Sequence, residues 1–160
     1  FFKINHNSIG LIFKLKQMNN LNNSIYQVSE SGKLYIKDIC KNNIESHICD
    51  FNVKTSNFYE YNNKICILGK EGEIKLFDIR INKIIKEIIL DNDIINSTFS
   101  KNLNYIDIVG EKLIRIDYSN LDILFEHQFE NGTMSSIVNI EDDLLVGGFG
   151  GFLQQFKIKI

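Results

Sequence analysis

The sequence contains no alanine, proline or tryptophan, and its only arginines are Arg80 and Arg115. Isoleucine, lysine and asparagine are abundant instead, a skew that indicates codon bias in an AT-rich genome rather than a physical requirement. Such a bias erodes sequence motifs, because tryptophan gives way to phenylalanine or tyrosine and arginine gives way to lysine. We therefore look for spacing before residue identity.

Strong charge and long apolar runs are also missing. The formal net charge is -2 over 160 residues, which argues against a basic field that would attract nucleic acid or anionic lipid. No apolar run approaches the roughly 18 residues that a membrane-spanning helix needs. Cys40, Cys49 and Cys66 are odd in number and have no metal-site or redox spacing, so they predict free thiols in a reducing compartment. The 44% hydrophobic content suffices for one domain with a core.

One pattern recurs along the chain. It has alternating apolar residues, then an aromatic residue, then an aspartate, and its best copy is residues 72–80, with further copies at 34–39, 114–118 and 153–158. The aspartates of the first three copies and the lysine in the same place of the last are 40, 39 and 40 residues apart: Asp38, Asp78, Asp117 and Lys157. A period of about 40–45 residues is typical of propeller blades.

The segments between these copies predict strands. They are short, rich in isoleucine, valine, tyrosine and phenylalanine, and separated by glycine and asparagine turns. Residues 51–58 are predicted as the first strand of a blade. Residues 83–90 also fit one face of a helix, and the surrounding repeat favours a strand. Because both faces of these sheets are apolar, we expect them to stack on one another radially.

The predicted fold class is therefore all-β, a β-propeller of about four blades with four antiparallel strands each. The blades are expected at residues 9–49, 51–90, 94–129 and 134–160, and the last blade lacks its outer strand. Residues 1–4 are expected to be the outer strand of a preceding blade or of a closing one. Since the chain begins with phenylalanine and stops in mid-pattern, we expect a piece of a larger, seven-bladed ring; closure at four blades is the alternative.

Residues 72–80, Gly-Glu-Ile-Lys-Leu-Phe-Asp-Ile-Arg, resemble the third strand of a WD40 repeat. Phe77 stands where that family has tryptophan, and Asp78 matches its aspartate. The family's Gly-His pair is absent, and the acidic position of the preceding turn is Glu71. The resemblance implies the propeller fold, whereas the family's hydrogen-bonded tetrad cannot be complete.

A narrower resemblance covers residues 68–148. Residues 110–114, 119–122 and 144–148 are similar to the middle blades of the WD40 scaffolds that include the serine/threonine kinase receptor-associated protein and the i subunit of translation initiation factor three. This resemblance implies a non-enzymatic scaffold, without a cofactor, in an RNA–protein assembly of the cytoplasm or nucleus. Its partners would be other protein subunits, with RNA contacted only indirectly and no membrane or small-molecule substrate.

An acidic rim is the predicted binding surface. In a propeller, the turns between second and third strands and the connections between blades gather on one rim. Carboxylates dominate that rim over Lys70 and Lys112, and we assign partner binding to five of them: Glu71, Asp91, Asp93, Glu111 and Glu130. Such a rim favours a basic peptide; ordinary solubility charge is the alternative interpretation.

Other candidate sites are weaker. The three histidines, His6, His47 and His127, lie in different cycles without a partner pattern. The acidic triplet at residues 141–143 lacks the alternating oxygen ligands of a calcium loop. The glycine-rich segment at residues 147–151 lacks the helix and lysine of a phosphate loop, so it predicts a widened turn. The alternative function is a ligand-binding or enzymatic propeller with a site at the central channel, which would need convergent polar residues at equivalent blade positions.

Overall fold

The computed structural model describes residues 12–17, 24–38, 45–100, 102–130, 132–140 and 143–157. Every regular element in these ranges is a β-strand, and none is a helix, which confirms the all-β prediction. The expected outer strand at residues 1–4 lies outside the described residues.

The strands form four sheets, numbered here in chain order as sheets 1 to 4. Sheet 1 contains β1 (Ile12–Gln17), β2 (Ser24–Ser29), β3 (Lys33–Asp38) and β4 (Glu45–Asp50). Sheet 2 contains β5 (Thr55–Tyr61), β6 (Lys64–Gly69), β7 (Glu73–Asp78) and β8 (Lys83–Ile89). Sheet 3 contains β9 (Asn96–Ser100), β10 (Tyr105–Val109), β11 (Lys112–Asp117) and β12 (Ile123–Gln128). Sheet 4 contains β13 (Met134–Ile140), β14 (Asp143–Gly148) and β15 (Leu153–Lys157).

Each sheet is an antiparallel meander in which every strand pairs with the next along the chain. The third and fourth strands share a register irregularity in sheets 1, 2 and 3, between Leu34 and Tyr35, between Leu76 and Phe77, and between Arg115 and Ile116. A β-bulge increases the local twist of a strand pair. The irregularity lies at the same distance from the marker aspartate in sheets 2 and 3 and two residues earlier in sheet 1, so the outer strand pair of each of these sheets is locally irregular.

Successive sheets contact each other through their first strands: β1 with β5, β5 with β9, and β9 with β13. Three apolar cores separate the four sheets. Between sheets 1 and 2, Val28 and Leu34 pack with Phe58 and Phe77. The other two cores fill the gaps between sheets 2 and 3 and between sheets 3 and 4. The sheets therefore bury their faces against one another, as the sequence predicts.

Two strand predictions meet different outcomes. The predicted strand at residues 51–58 is displaced, since β5 runs over Thr55–Tyr61. Phe51 and Val53 are buried in the core but lie in the connection before β5. Because both are apolar, the sequence predicted a strand that begins too early. Residues 83–90 form the outer strand β8 and no helix, and Ile89 is 73% exposed there.

One face of sheet 4 is uncovered. Val138 is 50% exposed, Ile140 51% and Leu153 69%. The register places these three side chains on the face opposite Val146 and Phe156, which pack toward sheet 3. Among the described residues, nothing covers this apolar face.

Candidate interaction rim

The turns between second and third strands lie against the connections that lead to the next sheet. Three equivalent turn carbonyls accept a hydrogen bond from a connection or from the strand that follows it, at 2.8–2.9 Å: Glu30 from Thr55, Lys70 from Ile94, and Gly110 from Met134. The acceptors are 40 residues apart, as the repeat requires. These turns and connections therefore form one continuous edge, called here the acidic rim.

All five predicted site residues lie on the acidic rim and are exposed. Glu71 is in the β6–β7 turn and Glu111 in the β10–β11 turn. Asp91 and Asp93 are in the β8–β9 connection, and Glu130 is in the β12–β13 connection. The fold thus brings the five to one edge of the molecule, and partner binding by them stays a prediction.

The rim is less acidic beside sheets 1 and 2 than the sequence suggests. Lys54 lies there too, and its ammonium group is 2.6 Å from the Glu71 carboxylate. This hydrogen bond lowers the pKa of Glu71 and raises the pKa of Lys54. Lys70 pairs with Glu30 at 3.1 Å. Sequence reasoning missed Lys54 because the predicted strand at 51–58 placed it outside the connection.

The excess of negative charge lies from the β8–β9 connection to the β12–β13 connection. Lys112 is hydrogen-bonded to Glu126 at 2.8 Å, and this bond is the main cause that raises the pKa of Lys112. Asp91 and Glu111 raise that pKa further through their charges. One ammonium group thus faces three carboxylates, so this part of the rim is net negative.

An aromatic cluster lies at the seam between sheets 3 and 4. The His127 ring packs edge to face against Phe129 (5.5 Å between centroids) and Phe156 (5.1 Å), and lies parallel to Phe125 at 6.5 Å. A groove of about 310 Å³ opens beside these rings. The residues that line it are His127, Phe129, Glu130, Met134, Phe152 and Gln154. This groove is called the seam groove below.

A buried ion pair at the same seam was not predicted from the sequence. Arg115 Nε donates to Asp107 Oδ1 at 2.7 Å and Nη2 donates to Oδ2 at 3.1 Å. Burial raises the pKa of Asp107, and the two hydrogen bonds from Arg115 oppose that shift. The Tyr105 ring covers the guanidinium group at 5.1 Å. The sequence feature that could have predicted this pair is an aspartate inside an apolar strand, followed in the next strand by one of the two arginines of the chain.

Polar residues of the inner strands tie neighbouring sheets together. Ser56 Oγ donates to the Ile94 carbonyl at 3.0 Å, and Asn96 Nδ2 donates to the Ser135 carbonyl at 3.2 Å. Ser56 and Asn96 are 40 residues apart and occupy corresponding positions in two first strands. Their hydrogen bonds serve the contact between sheets.

The other candidate site residues do not come together in one place. His47 lies beside Asp50 at 3.4 Å, whereas His6 and residues 141–142 are outside the described part of the chain. The glycine-rich segment forms the β14–β15 turn, as predicted. Within the described ranges, no cluster of three or more His, Cys, Asp or Glu side chains could hold a metal ion. The same ranges contain no helix that could cross a membrane.

Solved structures resemble this arrangement of sheets. The computationally designed Ika4 protein superposes with a TM-score of 0.76 at 14% identity, covering 97% of this chain and 94% of Ika4. The designed Ika8 protein gives 0.73 at 15% identity, covering 92% of this chain and 46% of Ika8. BamB from Moraxella catarrhalis gives 0.65 at 12% identity, covering 88% of this chain and 42% of BamB. These proteins are β-propellers. The fold of this chain is a β-propeller.

The propeller spans about half the length of Ika8 and of BamB, and nearly all of Ika4. No protein-family model matches the chain. A search of curated proteins found no match either. The comparisons thus support the propeller and supply no support for the WD40 family or for the narrower resemblance.

Proposed function

We propose that this propeller is a scaffold whose acidic rim holds a basic segment of a partner protein in a multi-subunit assembly. The observation that carries the proposal is the charge of the rim from the β8–β9 connection to the β12–β13 connection. Asp91, Asp93, Glu111 and Glu130 are exposed there, and Lys112 is engaged by Glu126. Complementary charge of this kind speeds association and selects partners.

The proposed assembly is an RNA–protein complex of the cytoplasm or nucleus. The sequence resemblance to scaffolds of such complexes supports this part. An acidic rim repels phosphate, so the propeller would contact RNA only through protein subunits with basic segments. Stacked sheets with a shared core provide a rigid frame on which exposed loops carry the contacts.

The test is affinity capture with the full-length protein. The variant Asp91→Asn/Asp93→Asn removes two negative charges from the rim. The matched control, Ile81→Lys/Asn102→Lys, adds the same net charge at exposed turns on the opposite edge of sheets 2 and 3. We expect the rim variant to lose basic ribonucleoprotein subunits from the captured set, as identified by mass spectrometry, and the control to keep them.

Two results would contradict the proposal. Capture that the rim variant leaves unchanged would show that these carboxylates are solubility charges. Equal loss in the rim variant and in the control would show that net charge, and no particular rim, governs association.

A further inference from the structure

The seam groove lies on the acidic rim, between the β12–β13 connection and the β14–β15 turn. Phe129 and Glu130 come from the connection, and Phe152 follows the turn. Met134, only 1% exposed, forms the floor. The groove thus exists only because two sheets pack together, and no segment of the sequence contains it.

The volume and walls suit the side chain of a peptide. At about 310 Å³, the groove is at the small end of protein ligand sites. Phe152 gives it an aromatic wall, whereas Phe129 also lines it but is only 6% exposed, because its ring packs against His127 and Phe156. Aromatic faces attract methylene chains and cations, because the face of the ring carries negative charge.

Charge at the groove favours a cation. Glu130 is a lining residue and is exposed to solvent. Glu111 lies nearby, since its backbone carbonyl accepts hydrogen bonds from Phe129 N (3.3 Å) and Gln128 Nε2 (3.1 Å). The adjacent Lys112 is paired with Glu126 at 2.8 Å. An anionic ligand would therefore meet the Glu130 carboxylate.

We propose that the seam groove binds the cationic side chain of a lysine or arginine from a partner protein, against the ring of Phe152 and the Glu130 carboxylate. This inference rests on the proposed function, because it names the contact by which the acidic rim would recognise a basic segment of the partner. It assigns specificity to one groove, whereas the remaining carboxylates supply general attraction.

The test uses the full-length protein and acetylated, amidated pentapeptides in which one residue is flanked by glycines. Isothermal titration calorimetry compares lysine, arginine, norleucine and glutamate at the central position. We expect the lysine or arginine peptide to bind at least about tenfold more tightly than the norleucine peptide, since norleucine lacks the charge. The glutamate peptide is expected not to bind.

Variants separate the groove from the rest of the rim. Phe152→Leu keeps apolar volume and removes the ring, and Glu130→Gln keeps the shape and removes the charge. Each is expected to weaken binding of the cationic peptide about tenfold. Phe149→Leu, in the same turn but 75% exposed and outside the groove, is the matched control and should bind normally. Circular dichroism checks that every variant is folded.

The outcomes distinguish this inference from the proposed function. Equal binding of lysine, arginine and norleucine peptides, or no effect of Glu130→Gln, would overturn the groove assignment. Partner capture that survives Phe152→Leu and Glu130→Gln, but is lost in Asp91→Asn/Asp93→Asn, would also overturn it while leaving the rim function intact. Capture that is insensitive to all of these variants would overturn both.

Discussion

Two of the aspartates that mark the repeat, Asp78 and Asp117, act locally within the turn that follows the third strand of their sheets. Asp78 Oδ1 accepts hydrogen bonds from Arg80 N (2.9 Å) and Nε (3.1 Å), and Oδ2 accepts one from Arg80 Nη2 at 2.6 Å. Asp117 likewise accepts from the backbone of Ser119 at 2.7 Å. An aspartate that bonds the backbone two residues on is a turn-forming arrangement. The period of about 40 residues therefore reflects a turn that recurs after the third strand.

The first prediction concerns the Asp78 carboxylate. Hydrogen bonds from the Arg80 side chain hold the pKa of Asp78 at about 2, below the ordinary value of about 3.9. A lowered pKa means that the ionised group stabilises the folded state above the unfolded pKa, and that this contribution disappears as the pH falls toward 2. We expect Asp78→Asn to lower the free energy of unfolding at pH 7, with a deficit that shrinks between about pH 4 and pH 2.

Urea unfolding followed by circular dichroism across this pH range is the measurement. Asp93→Asn replaces an exposed aspartate of the rim and serves as the control, for which we expect little change at any pH. A deficit for Asp78→Asn that stays constant from pH 7 to pH 2 would rule out the charged contact as its cause.

At the scale of the element, the turns between second and third strands depend on close backbone approach. Gly72 has a φ of 93° and its carbonyl accepts a hydrogen bond from Leu90 N at 2.9 Å. A Cβ atom at this position would overlap the Leu90 carbonyl oxygen and lie 3.0 Å from that of Asn92. Glycine is therefore required both by the backbone angle and by the neighbouring connection.

Gly132 has the positive backbone angle without the close approach of a neighbouring connection. Its φ is 89°, but a Cβ atom there would meet none of the described atoms within 4 Å. We expect Gly132→Ala to cost about 1–2 kcal/mol from the backbone angle alone. Gly72→Ala should cost more, because the turn must also move away from Leu90. Urea unfolding at pH 7 measures both, and equal losses would show that the close approach contributes nothing.

At the scale of the whole molecule, the apolar face of sheet 4 differs from every other described sheet interface. The same faces of sheets 2 and 3 are buried against the next sheet, whereas Val138, Ile140 and Leu153 are at least half exposed. Apolar patches on a surface mark sites of association. A larger ring would bury this face against a further sheet.

The 160-residue chain by itself is therefore expected to self-associate through sheet 4. Val138→Lys/Leu153→Lys places charges on that face and should lower the apparent mass in sedimentation velocity. Ile85→Lys/Ile89→Lys adds the same charge on the outer strand β8, where the isoleucines are 43% and 73% exposed, and should change the mass little. A monomeric wild-type chain, or equal effects of the two variants, would contradict the prediction.

The sequence by itself determined the strands, their order and the stacking of sheets. Each follows from local chemistry: alternating apolar residues, turns rich in asparagine and glycine, and an aspartate that returns at a fixed period. The five acidic rim residues were predictable for the same reason, since a repeat assigns each turn to one edge. The strand at 51–58 was misplaced because Phe51 and Val53 are buried in a connection, and burial alone does not distinguish a strand from a loop.

Only the tertiary structure decided which side chains meet across the seams. Lys54 and Glu71 are 17 residues apart in the chain and belong to different predicted elements. The seam groove is lined by Phe129 and Phe152 from different sheets, and the charge of the rim beside it depends on the pairing of Lys112 with Glu126. Periodicity fixes the sheet on which a residue lies, whereas the packing of one sheet against another fixes its distance to the next sheet's side chains. The net charge of the rim and the existence of the groove depend on those distances.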